Sequence, residues 1–99
     1  MPAPRKTAAL HATFRGRVQG VGFRAFVTGN ANELNVRGWV RNRLDGSVEA
    51  QLVGEGPAIN ELLRRCRKGP PGASVDSVNA EPSDVPEPEP EGFGARSTI

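Results

Sequence analysis

The segment Gly16-Arg17-Val18-Gln19-Gly20-Val21-Gly22-Phe23-Arg24 sets three glycines and two arginines within nine residues. Glycines at that density let the backbone turn so that successive N–H groups aim at one point, and amides so arranged make a concave anion site. If a helix starts directly afterwards, its first unpaired N–H groups and the positive end of its dipole join the same site. Arg24, in the first turn of that helix, can bring a planar guanidinium with two parallel donors to a phosphate-sized anion. The residue types also allow a plainer reading, in which the glycines make a tight connection and Arg24 is a solvated helix residue.

A second group follows in Gly38-Trp39-Val40-Arg41-Asn42-Arg43 and Asp45-Gly46-Ser47. Asn42 stands at the end of a strand, on the side shared with Val36 and Val40. Its carboxamide offers both a donor and an acceptor and can hold a water, although capping a turn is the commoner role of Asn before a hairpin. Trp39 reads as a packing residue and His11 as a solvated or hydrogen-bonded strand residue. Cys66, on an apolar helix stripe, reads as inert core.

Three other motifs fail on context. Gly20-Val21-Gly22-Phe23-Arg24-Ala25 fits the dinucleotide pattern G-x-G-x-x-A, but the chain is too short for two mononucleotide-binding halves and the following hairpin is antiparallel. A Walker A loop needs Gly-Lys-Ser/Thr, which is missing. An RNA-recognition domain stacks bases on aromatics of its open sheet face. Here the expected open face shows His11, Thr13, Glu49 and Gln51 instead.

The elements that must position these groups follow from periodicity. Ala8 to Arg15 alternates, with Leu10, Ala12 and Phe14 on one side, as a half-buried strand does. Phe23, Phe26, Val27, Ala31 and Leu34 form a helical stripe, weakened by the poor helix formers Thr28-Gly29-Asn30. Strands are predicted over 36–43 and 47–53, joined through Asp45-Gly46, a strong hairpin signal. Pro57 opens a second helix with the stripe Ile59, Leu62, Leu63 and Cys66, stopped by Gly69-Pro70-Pro71-Gly72. A fourth strand is expected from Ser74 to about Glu81, then an acidic Pro-rich loop over 82–91, lengthened by its Pro/Glu repeat at 86–91, and a short extended piece over 92–99. The order predicts an α+β, ferredoxin-like βαββαβ sandwich: a four-stranded antiparallel sheet, with room for a short fifth strand, carrying two helices on one face.

The 99 residues make one domain, expected over 8–99 behind a flexible arm at 1–7. With 36% hydrophobic and 24% charged residues the chain is globular, and no apolar run of spanning length argues for a membrane. One cysteine excludes an internal disulfide and any multi-cysteine metal site, and it fits the cytoplasm. Residues 1–50 carry 8 Lys/Arg against 3 Asp/Glu, and residues 51–99 carry 5 against 8. The basic half points to an anionic partner, and its arginines, spaced singly, suit a local pocket.

Taken together, GRVQGVGFR, GWVRN and DGSVE, in this order and at these distances, resemble the acylphosphatase family from about Leu10 to Phe93. The resemblance implies a ferredoxin-like enzyme that hydrolyses small-molecule acyl phosphates to a carboxylate and inorganic phosphate, with no metal and no organic cofactor. It implies that Arg24 binds the phosphoryl group and that Asn42 positions the attacking water. The amides from Arg17 through Val18, Gln19 and Gly20 to Val21 would surround the phosphate oxygens. Inorganic phosphate or sulfate should compete, no nucleic acid or membrane partner is expected, and a monomer is. Ala95 stands where family members usually place a larger apolar residue. Hydrogenase-maturation proteins carry a similar module that handles carbamoyl phosphate, with cysteine zinc motifs downstream. A non-catalytic anion binder on the same fold is the remaining alternative.

Overall fold

The computed structural model describes residues 6–99, which form β1 (Thr7–Arg17), α1 (Phe23–Glu33), β2 (Arg37–Asn42), β3 (Val48–Glu55), α2 (Gly56–Lys68), β4 (Ser74–Pro82) and β5 (Phe93–Ala95). Most of the expected arm, residues 1–5, lies outside the described residues, and Thr7 already belongs to β1. The strands make one sheet in the order β4-β1-β3-β2-β5. Its first four members pair antiparallel, as expected. The short fifth strand joins the edge parallel to β2, so the complete sheet is mixed. Because β1 and β2 both run antiparallel to β3, their C-terminal ends emerge at the same end of the sheet.

The alternation read from the sequence decides which face is covered. Ala12 and Phe14 of β1, Val40 of β2, and Val48, Ala50 and Leu52 of β3 join Phe23, Val27 and Ala31 of α1 and Ile59, Leu62 and Cys66 of α2 in one core. Phe14 and Phe23 pack with ring centroids 5.2 Å apart, fixing the start of α1 against β1. Burial pushes the Cys66 thiol up to about 12, so it stays protonated and unreactive. The weak stretch Thr28-Gly29-Asn30 does not break α1. Asn30 Nδ2 donates to the Phe26 carbonyl one turn back at 2.8 Å, and Asn30 Oδ1 accepts from Arg65 of α2 at 2.9 Å, so one local and one tertiary bond offset low propensity.

The open face carries polar side chains. Glu49 is only 7% exposed there, and its carboxylate accepts from Arg41 at 2.6 Å and Arg43 at 3.0 Å and is bonded to His11 at 2.6 Å. The Trp39 ring lies under the guanidinium groups of Arg41 and Arg96, at 4.6 and 4.9 Å, which makes it a packing residue. Burial raises the pKa of Glu49, but the hydrogen bonds from Arg41, His11 and Arg43 outweigh it and hold the carboxyl below its ordinary value. A lowered folded pKa gives stability that is present above the unfolded value, about 4.3, and is lost as pH falls through the folded value. Glu49→Gln should therefore destabilise the protein by about 1–3 kcal/mol at pH 7. In urea denaturation at stepped pH, its gap from the parent protein should shrink below about pH 4.

Candidate active site

β1 ends at Arg17, and five residues, 18–22, carry the chain to the start of α1 at Phe23. Val18 is 1% exposed and roots this loop in the core. Gln19 reaches across to the β2–β3 hairpin, where its Nε2 donates to the carbonyls of Arg43 and Ser47, each at 2.8 Å. That hairpin is held by its own turn: the amide and hydroxyl of Ser47 donate to Asp45 Oδ1 at 2.9 and 2.6 Å. Those bonds hold the Asp45 carboxyl below its ordinary value.

Gly20 and Gly22 adopt left-handed backbone, with φ of 75° and 76°. A side chain at either position would strain the chain by about 1–2 kcal/mol. Gly22 caps α1, its carbonyl accepting from the Phe26 amide at 3.0 Å. No side chain caps this helix start and no acidic residue stands in its first turn. Its leading amides and dipole end are thus left to an anion.

A cavity of about 580 Å³ opens at this point, bounded by Val18, Gly20 and Gly22 of the loop, Arg24 and Thr28 of α1, and Asn42 at the end of β2. Arg24 is half-buried and has no ion pair or hydrogen bond among the described residues, so its guanidinium is available to a ligand. Asn42 Oδ1 is buried without a partner. A half-turn of the terminal amide exchanges Oδ1 and Nδ2 at little steric cost, so the carboxamide can offer either an acceptor or donors to the cavity.

Of the residues singled out in the sequence, Val18, Gly20, Arg24 and Asn42 meet on this cavity. Arg17 is exposed at the end of β1, Gln19 braces the loop through its side chain, and Val21 flanks the lining residues. Gly22, Thr28 and Ala95 also line it and were not assigned from sequence. Thr28 had a signal: it lies four residues after Arg24 and so shares its helix face. His11 and Cys66 lie elsewhere, in the open-face network and the core. The residues lining the cavity include no carboxylate, imidazole or thiol.

The Acylphosphatase family model matches residues 10–94. A curated relative named acylphosphatase, from Acidiphilium cryptum, is 50% identical over 90 residues, covering 91% of this chain and 97% of that protein. The solved structure of an acylphosphatase from Coxiella burnetii superposes with a TM-score of 0.86 at 39% identity, covering 91% of this chain and 93% of the other. Full-length HypF, crystallised in a phosphate- and nucleotide-bound form, gives a TM-score of 0.88 at 27% identity, but 99% of this chain covers only 13% of that one.

The bracing role of Gln19 can be tested without a ligand. Gln19→Ala should cost about 1 kcal/mol in thermal denaturation, since it removes both side-chain bonds of the brace while the Arg43 and Ser47 carbonyls keep their backbone donors, Gly46 and Arg43. It should also speed amide hydrogen exchange across residues 18–22. Gln19→Glu should behave alike at neutral pH, because a carboxylate cannot donate to a carbonyl.

Proposed function

Since the chain belongs to the acylphosphatase family, we propose that the loop amides and Arg24 bind the phosphoryl group of an acyl phosphate and that Asn42 orients the attacking water. The chain is an enzyme that hydrolyses acyl phosphates to a carboxylate and inorganic phosphate. The observation that carries the residue assignment is the meeting of an unpaired guanidinium, an unpartnered carboxamide and an uncapped helix start on one cavity.

The chemistry asks for little beyond placement. A carboxylate is a good leaving group, so no strong general acid is needed. Transfer through a loose transition state depends on alignment and on stabilising charge spread over the phosphoryl oxygens. Backbone N–H groups and Arg24 supply that stabilisation from fixed positions. The water oxygen bonds to phosphorus as the bond to the acyl oxygen breaks, and the electron pair leaves with the carboxylate. One water proton passes to a phosphoryl oxygen, and the other remains on the new P–OH. Acyl phosphate dianion and water thus give a carboxylate and dihydrogen phosphate, with atoms and charge balanced and no protein base.

On this reading the enzyme works as a monomer in the cytoplasm, without metal, and inorganic phosphate or sulfate competes for the loop. One further substrate is worth comparing, carbamoyl phosphate, which the similar module of hydrogenase-maturation proteins handles.

Purified protein should hydrolyse benzoyl and acetyl phosphate at rates unchanged by EDTA, with competitive inhibition by phosphate. Activity lost to chelator, or confined to carbamoyl phosphate, would contradict the reading, and binding without turnover would leave an anion binder. Arg24→Ala should lower kcat/KM about 1,000-fold and abolish phosphate inhibition. Asn42→Ala should lower kcat about 100-fold while the phosphate inhibition constant stays within about 3-fold. Equal loss of phosphate affinity in both variants would show that Asn42 holds the phosphoryl group rather than the water.

A further inference from the structure

Thr28 lies one helical turn beyond Arg24 on α1 and borders the cavity that Arg24 and Asn42 share. Its Oγ1 is buried without a hydrogen-bond partner, and Asn42 Oδ1 is the other buried side-chain atom in that condition among the described residues. Buried polar groups are nearly always satisfied, so two exceptions on the wall of one cavity point to a shared partner. A helical threonine ordinarily bonds its hydroxyl to the carbonyl one turn back. Thr28 Oγ1 makes no such bond to Arg24.

Resting on the reading that Asn42 orients the nucleophile, we propose that the Thr28 hydroxyl is a second contact for the same water. This contact requires that Thr28 rotate about Cα–Cβ to bring its buried hydroxyl to the cavity it borders, and that the Asn42 amide make its half-turn. The water then donates to Asn42 Oδ1 and to a phosphoryl oxygen. It accepts from the Thr28 hydroxyl through one lone pair and keeps the other for phosphorus. Thr28 retains its proton throughout. A water held by Asn42 alone can swing about that bond, whereas contacts from α1 and β2 fix both its place and its lone-pair direction. Arg24 and Thr28 share one rigid helix, so the phosphoryl group and the water are held in constant relation, with the acyl oxygen leaving on the far side.

Thr28→Val is nearly isosteric and separates this role from packing. Expected are a kcat for benzoyl phosphate lowered about 10-fold or more, and a KM and phosphate inhibition constant within about 2-fold. The Tm should be equal or higher, because a buried unpaired hydroxyl has gone. Thr28→Ser should recover kcat to within about 3-fold. In the presence of Asn42→Ala, Thr28→Val should lower kcat by less than about 2-fold, since both residues act on one water. An unchanged kcat in Thr28→Val, a failure of Ser to rescue, a fall in Tm alongside activity, or multiplicative losses would each overturn the Thr28 role alone. Full turnover in Asn42→Ala would overturn the reading of Asn42, and this inference with it.

Discussion

The chain must leave β1, reverse, and begin α1 within five residues, and on the proposed mechanism its amides must still face the cavity. Left-handed backbone at Gly20 and Gly22 makes that turn possible. Nothing lies within 4 Å of where a Cβ would stand at either glycine, so crowding does not demand glycine there; the backbone conformation does. With the turn fixed, the buried Val18 and the two bonds from Gln19 hold the loop from both sides. Arg24 then necessarily falls in the first helical turn. Moving that turn by one residue would carry the guanidinium about 100° around the helix and away from Asn42.

Asn42 depends on a different constraint, the register of β3. Val48 pairs with Phe14 of β1 on one side and with Asn42 of β2 on the other, so one residue aligns both halves of the site. A one-residue slip of β2 would send Asn42 to the open face and bring a neighbour inward. Two features oppose that slip: the buried positions of Val40 and Val36, and the pairing of Arg41 with Glu49 across the strands. The open-face network thus bears on the site although none of its members touches the cavity. It favours the register that points Asn42 inward.

Much of this could be read in the sequence because it is local. Period-two alternation over residues 8–15, the Asp45-Gly46 turn, the α2 stripe and the glycine loop each declare themselves within a few neighbours, and they place Arg24 and Asn42 correctly on their elements. What could not be read is what the chain brings together from afar. Gln19 bonds carbonyls 24 and 28 residues away, which no local pattern encodes. Glu49 looks like an ordinary exposed strand residue until His11 and Arg41 converge on it. The parallel pairing of β5 rests on three residues, too few for any periodicity. Thr28, in sequence, reads only as a poor helix former, and its meaning comes from the cavity beside it.

The site divides its labour by rigidity. On the proposed mechanism the groups that aim, Arg24, Thr28 and Asn42, stand on a helix and a strand, whose packed backbones fix the point from which each side chain reaches. In the same proposal the loop contributes main-chain atoms, whose geometry follows once φ and ψ are fixed, and buried Val18 and the bonds from Gln19 hold it. The same division explains why polar atoms of Thr28 and Asn42 find no partner in the protein itself. Each such atom costs about 1–3 kcal/mol, against a net stability of about 5–15 kcal/mol for a small domain. Closing both with protein partners would recover that energy but would also spend the hydrogen-bonding capacity that substrate and water require. A core filled from both helices and a fully engaged Glu49 let the fold carry the deficit. On the proposed mechanism, the unpartnered atoms are binding capacity held in reserve beside the cavity, and a turn of two side chains, with no movement of the backbone, brings them to substrate and water.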